Sequence, residues 1–193
     1  MNQPMIGLHN ALTAHSAANF AGRLVTFAWR CQRPGAINRA IMQGIRFFDI
    51  RVCRHRGLWY AAHGCVRINV DPVCTILNIA RRVDNPTIRL ILEHGNPDDC
   101  RAFISLAQRL QATCPNVRFI GGNHKPTWKK LISFDHDDIG DTAFQCVGSM
   151  DPHPLGRLIG SVCPRLWTSI FRRTDPLHEV ISDNPAQLYD FLI

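Results

Sequence analysis

Residues 44–64 read GIRFFDIRVCRHRGLWYAAHG, and this stretch decides the fold. Ile45, Phe47, Phe48, Ile50 and Val52 are the apolar positions of one strand, and Leu58, Trp59, Tyr60 and Ala61 those of a second. A basic turn, Arg54-His55-Arg56-Gly57, joins the two. Asp49 and Arg51 in the first strand, and His63 at the end of the second, have no place in an apolar sheet. Residues i and i+2 share a strand face, so Asp49 and Arg51 point the same way. An acid, a guanidinium and an imidazole gathered at strand ends can bind a phosphate, protonate it and hold both groups in place. A buried Asp–Arg ion pair beside an incidental histidine accounts for the same residues.

The flanking sequence extends this pair into a βα rhythm. Pro4 to Leu8 is a short apolar strand ending in His9-Asn10, and a small-residue loop follows from Ala11 to Ala21. Pro34-Gly35 opens a helix with Ile37, Ala40 and Ile41 on one side and Gly44 as its C-terminal cap. Asp71-Pro72 is an N-cap followed by proline at the first helical position, with an apolar stripe of Val73, Ile76, Leu77, Ala80 and Val83. Thr87 to Leu92 is a strand running into Glu93-His94-Gly95. Asn96-Pro97 begins the next helix, with Asp98 and Asp99 in its first turn and Cys100, Phe103, Ala107 and Leu110 on its inner side. Val117 to Ile120, Ala143 to Val147 and Glu179 to Ser182 read as further strands, Leu155 to Phe171 and Gln187 to Ile193 as helices. Strands alternating with helices specify a parallel sheet. His9, Asp49, Arg51, His63, Glu93 and Asp183 fall at or near the C-terminal ends of its strands, where a (β/α) barrel carries its active site. Roughly seven strands in a chain just under the usual length of that fold predict a compact (β/α)8 TIM barrel, trimmed or distorted.

Composition narrows the function. The 193 residues make one domain, 1–193, and an apolar fraction of 46% supports a real core. A net charge of +7 suits an anionic partner, with the basic residues too scattered for a nucleic-acid-binding tail. The eight cysteines form no C-x-x-C pair and read as reduced thiols. No signal peptide or apolar run of membrane-spanning length is visible, so a cytoplasmic monomer in peripheral contact with membrane is the default expectation. Asp135 to Asp141 begins like an EF-hand loop but places Cys146 at the twelfth position, which makes it a solvated loop. The apolar repeat from Leu155 to Phe171, with Arg157, Arg165, Arg172 and Arg173 among it, fits an outer helix packed on the sheet, and secondarily an interfacial helix on anionic lipid. Serine-hydrolase, P-loop and dinucleotide motifs do not occur.

In order, G-L-H-N (7–10), G-I-R-F-F-D-I-R (44–51) and A-A-H-G (61–64) resemble the catalytic X-domain of phosphatidylinositol-specific phospholipases C. The resemblance runs from Gly7 to about Gly95, including D-N-P-T-I-R-L-I-L-E, and returns at V-I-S-D-N-P (180–185). It implies cleavage of a phosphatidylinositol-type phospholipid to diacylglycerol and a cyclic inositol phosphate. His9 would be the general base and His63 the general acid; Asp183 would hold His9 in its working tautomer. Arg51 would stabilise the phosphate charge, and Asp49 would fix Arg51 or His63. Asn10, Glu93 and His94 would line the substrate. Calcium-dependent members of the family use an Asn after the first His, two acids one residue apart and a later Glu. Here Asn10, Asp49 and Glu93 stand in those places, and Arg51 replaces the second acid. The D-x-R form is that of the metal-independent bacterial enzymes, so the resemblance implies no metal and no cofactor, with calcium on Asn10, Asp49 and Glu93 as the alternative. Those bacterial enzymes carry Asp after the first His, where this chain has Asn10. Two further readings remain: the same site acting on another phosphodiester, and an inactive barrel that only binds anionic lipid.

Overall fold

A computed structural model describes residues 7–24, 30, 32, 34–123, 133–134, 154–155 and 187–188. Their strands are β1 (Gly7–Leu8), β2 (Phe47–His55), β3 (Leu58–His63), β4 (Val66–Ile68), β5 (Thr87–His94), β6 (Arg118–Asn123), β7 (Ser133–Phe134) and β8 (Gln187–Leu188). The helices are α1 (Phe20–Leu24), α2 (Ala36–Met42), α3 (Pro72–Arg82) and α4 (Pro97–Thr113). Their parallel run is β8-β1-β2-β5-β6, with β3 and β4 added antiparallel on β2 and β7 antiparallel on β6. The architecture is mixed α/β around a central sheet. Among the described residues that sheet is open, so the full ring expected from the sequence is not formed by them. None of the helices described is long and apolar enough to cross a membrane.

Local chemistry sets each helix end. Asp71 accepts the backbone N–H groups of Val73 and Cys74 at 2.8 and 3.3 Å, satisfying two donors that a helix start leaves over. Asn96 and Asp99 form a reciprocal capping box on α4, at 2.9 and 3.0 Å. At the end of α2, Gly44 takes a φ of 77°. Its N–H bonds Ile41 O at 3.0 Å and the Ile45 N–H bonds Ala40 O at 2.9 Å, a Schellman motif that turns the chain into β2.

The two faces of the sheet differ in chemistry. Phe48, Ile50 and Val52 of β2, Ile88, Leu90 and Leu92 of β5, and Phe119 of β6 join one core cluster. Ile76 and Ile79 of α3 and Phe103, Leu106 and Leu110 of α4 cover it. Strand alternation then turns Asp49 and Arg51, and Arg89 and Glu93, to the opposite face. Asp49, Arg89 and Glu93 are buried there all the same. Parallel strands covered on both sides are the rule; here the second side mixes these polar groups with buried Phe47 and Ile91.

β1 and β3 share one edge of β2. β1 pairs with Phe47 and Phe48, β3 with Val52 to His55, and the chain leaving β1 fills the interval with a bond from Ala11 N–H to Asp49 O at 2.9 Å. The small-residue segment after His9 is not an open loop: Ala11, Leu12, Thr13, Ala14 and Ala17 are buried, and Ala17 bridges Ile68 of β4. Side chains this small let two backbones approach closely. Gln187–Leu188, expected to start a helix, is instead a strand paired in parallel with Gly7–Leu8. The free edge of β1 offers backbone partners that a helix start could not use. The readings over 135–146, 143–147, 179–182 and most of 155–171 lie outside the described residues.

Candidate active site

Gly7 lies opposite Phe47 and Leu8 opposite Phe48, so the next residue, His9, arrives beside Asp49. His9 Nδ1 stands 3.0 Å from Asp49 Oδ2, an ion-pair distance with imperfect hydrogen-bond alignment. Asn10 takes a left-handed φ of 46°, which Asn tolerates better than most residues, and this turns its backbone N–H onto Asp49 Oδ2 at 3.3 Å. The Asn10 side-chain nitrogen is 2.7 Å from His9 Nε2. Behind the ring, buried Gln32 donates to His9 O at 2.6 Å and fixes the backbone that carries the imidazole.

Asp49 is only 1% exposed and gathers cations. Arg51 Nε donates to its Oδ2 at 3.2 Å, and Arg89 Nη1 approaches Oδ1 at 3.5 Å. Arg51 also reaches Glu93 through Nη1, at 3.4 and 3.3 Å from the two carboxylate oxygens. Glu93 in turn accepts the Gly64 N–H at 2.8 Å. A continuous line therefore runs from His9 through Asp49, Arg51 and Glu93 to the residue next to His63.

The electrostatics follow from burial and this line. Burial disfavours the imidazolium of His9 and lowers its pKa from 6.5 to about 4, outweighing the support of Asp49. Arg51 and His63 add to the lowering, which puts His63 within electrostatic reach of His9. Burial by itself would raise the Asp49 carboxyl. Arg51, the His9 contact and Arg89 together outweigh it and hold the group well below the usual carboxylate range. At neutral pH the site therefore holds a neutral imidazole against an ionised carboxylate, which is the state a general base needs.

Of the residues singled out in the sequence, His9, Asn10, Asp49, Arg51 and Glu93 come together, with His63 at the end of β3 alongside. His94 follows Glu93 at an irregularity in the β2–β5 register, where it stands opposite Cys53, and it is exposed. Asp183 lies outside the described residues, and the carboxylate against His9 Nδ1 is that of Asp49. Arg89 escaped the sequence reading. Its signal was the i, i+4 spacing to Glu93 within an otherwise apolar strand, which sets both on one face. No cluster of three or more His, Cys, Asp or Glu side chains with metal-binding geometry occurs among the described residues.

No protein-family model matches the chain, and no curated protein matches it. Among solved structures it is similar to the phosphatidylinositol-specific phospholipase C from Listeria monocytogenes, at 16% identity and a TM-score of 0.45, covering 63% of this chain and 52% of that one. The chain thus spans about half the length of that enzyme.

Proposed function

We propose that this chain is a phosphodiesterase of the phosphatidylinositol-specific phospholipase C type, built on a (β/α)8-type barrel and working by paired-histidine acid–base catalysis. The observation that carries the reading is the neutral, buried imidazole of His9 held against Asp49, one residue along the strand face from the Arg51 guanidinium. His9 Nε2 takes the proton from the inositol hydroxyl next to the phosphate, replacing its contact with Asn10. The freed oxygen attacks phosphorus and closes a cyclic phosphodiester. The bond to the diacylglycerol oxygen breaks, and His63 supplies the proton to that oxygen. Arg51 faces the phosphate and offsets the charge that builds in the transition state, while Asp49 and Glu93 hold its planar fork. Asp49 keeps the Nδ1 proton of His9, so that Nε2 is the basic nitrogen.

The donor set does not suit a calcium ion. Between Asp49 and Glu93 stands the Arg51 guanidinium, bonded to both, and the Asn10 amide is turned to His9. A cation there would meet a fixed positive charge, so the reaction is proposed to run without metal. A lipid substrate also needs contact with a membrane surface. The charge of +7 supports this, as do Phe20 and Leu24, 74% and 66% exposed on the helix that follows the His9 segment.

Phosphorus NMR of phosphatidylinositol vesicles incubated with the protein, with and without chelator, tests reaction and metal together. A cyclic inositol phosphate resonance in both samples is expected. Absence of any phosphorus product from folded protein rules the reading out.

A further inference from the structure

The β2–β3 hairpin overhangs α4 on the helix-covered side of the sheet, away from the face that carries Asp49 and Arg51. Arg54 and Trp59 are direct cross-strand partners and so present their side chains together. Trp59 packs against Phe103 of α4, ring centroids 6.2 Å apart. Arg54 reaches Asp99, at the start of the same helix, at 3.9 Å. Beyond these contacts the hairpin and the helix flank an open groove of about 730 Å³. Arg54, Gly57 and Trp59 form one wall; Ser105, Gln108 and Arg109 form the other, and the two remaining lining residues are alanines. Its volume is that of a small-molecule site.

The chemistry of the walls is one-signed. Two guanidinium groups line the groove and no carboxylate does. A serine hydroxyl and a glutamine amide add donors, and an indole supplies a flat apolar surface. The small side chains at Gly57 and the alanines leave the space open. We propose that this groove binds a phosphate ester, with the phosphate between Arg54 and Arg109 and the organic part on Trp59. Arginine pairs suit phosphate because their forked donors match its oxygens. A soluble metabolite and a lipid headgroup can each carry such an ester, and the chemistry recognised is the same. This site does not depend on the proposed catalytic reaction.

The test uses the full chain, ¹⁵N-labelled, with the Trp59 indole N–H assigned through Trp59→Phe. Glycerol 3-phosphate and inorganic phosphate are titrated in turn, and flotation with vesicles of equimolar phosphatidylcholine and phosphatidic acid forms a separate arm. A saturable shift of the Trp59 indole with glycerol 3-phosphate is expected, with affinity lowered about tenfold or more in Arg109→Glu, the loss expected for a charged hydrogen bond. Arg109 is exposed on α4, so the variant keeps its core; Arg54→Ala gives a second reading from the other wall. Vesicle flotation that falls in the same variants assigns the ester to a headgroup, and flotation that does not change assigns it to a soluble compound. Failure of glycerol 3-phosphate to shift Trp59 at millimolar concentration, or a shift that survives Arg109→Glu, overturns the proposal.

Discussion

Asp49 Oδ2 lies 3.0 Å from Nδ1 of His9, the two residues meeting where β1 ends against the middle of β2. The same carboxylate holds Arg51. One side chain thus sets both the proposed base and the proposed phosphate-binding group.

Asp49→Asn keeps the shape and removes the charge. Turnover on phosphatidylinositol should fall by about 10²-fold or more, as for other carboxylates that fix a catalytic imidazole. Asp49 raises the affinity of His9 for a proton, so the acidic limb of the pH–rate profile should also move to lower pH in the variant. Diacylglycerol release measured across pH checks both. Near wild-type turnover in a folded variant would return the orienting role to Asp183.

Burial of His9 makes stability pH-dependent. Its native pKa of about 4 lies below the unfolded value of 6.5, so between these the unfolded chain holds a proton that the native site refuses. Stability is therefore fully present above the unfolded value and is lost as pH falls through the window, by about 3 kcal/mol at roughly 1.4 kcal/mol per unit. Asp49, also depressed, adds to the loss in stronger acid, and His15, lowered by desolvation and by Arg30, acts in the same sense as His9. Urea midpoints at pH 7 and 4.5 should therefore separate more for wild type than for His9→Gln. Equal separations would show that His9 is not the group refusing the proton.

Much of this was legible in the sequence because it is set by local rules. A period of two puts Asp49 and Arg51 on one face whatever surrounds them, and Gly44, Asp71 and Asn96 mark helix ends by their own chemistry. Pairing across the sheet is not local. That Arg89 stands opposite Asp49, and that His9 follows into the same row, depends on the register of β2 with β5 and β1. Leu188 illustrates the opposite failure. Apolar residues near it suit a helix equally well, and only the edge of β1 makes it a strand.

Arg89 is 3% exposed and faces Asp49 Oδ1 from the side opposite Arg51. Arg89→Met should cost stability at the low end of the roughly 3–5 kcal/mol lost when a buried ion pair is broken, since Arg51 still compensates Asp49. In a double-mutant cycle with Asp49→Asn the two losses should be less than additive. Thermal or urea unfolding of the four proteins decides it. Strict additivity would mean that the two side chains do not interact.

Arg51 separates a metal-free site from a metal-dependent one. Its guanidinium bonds two carboxylates at once, through Nε to Asp49 and Nη1 to Glu93, which a lysine ammonium cannot copy in the same plane. Arg51→Lys should therefore lower turnover by about 10²–10³-fold, the loss typical for one group that stabilises transition-state charge. Arg51→Asp goes further. It removes the cation and puts a third carboxylate beside Asp49 and Glu93, with the Asn10 amide close by, an all-oxygen set of the kind calcium takes. Wild-type activity should be indifferent to chelator, and the Arg51→Asp variant should regain activity only when calcium is added. Wild-type activity that is lost in chelator and restored by calcium would show that Asn10, Asp49 and Glu93 hold a cation during turnover and that Arg51 moves aside to admit it.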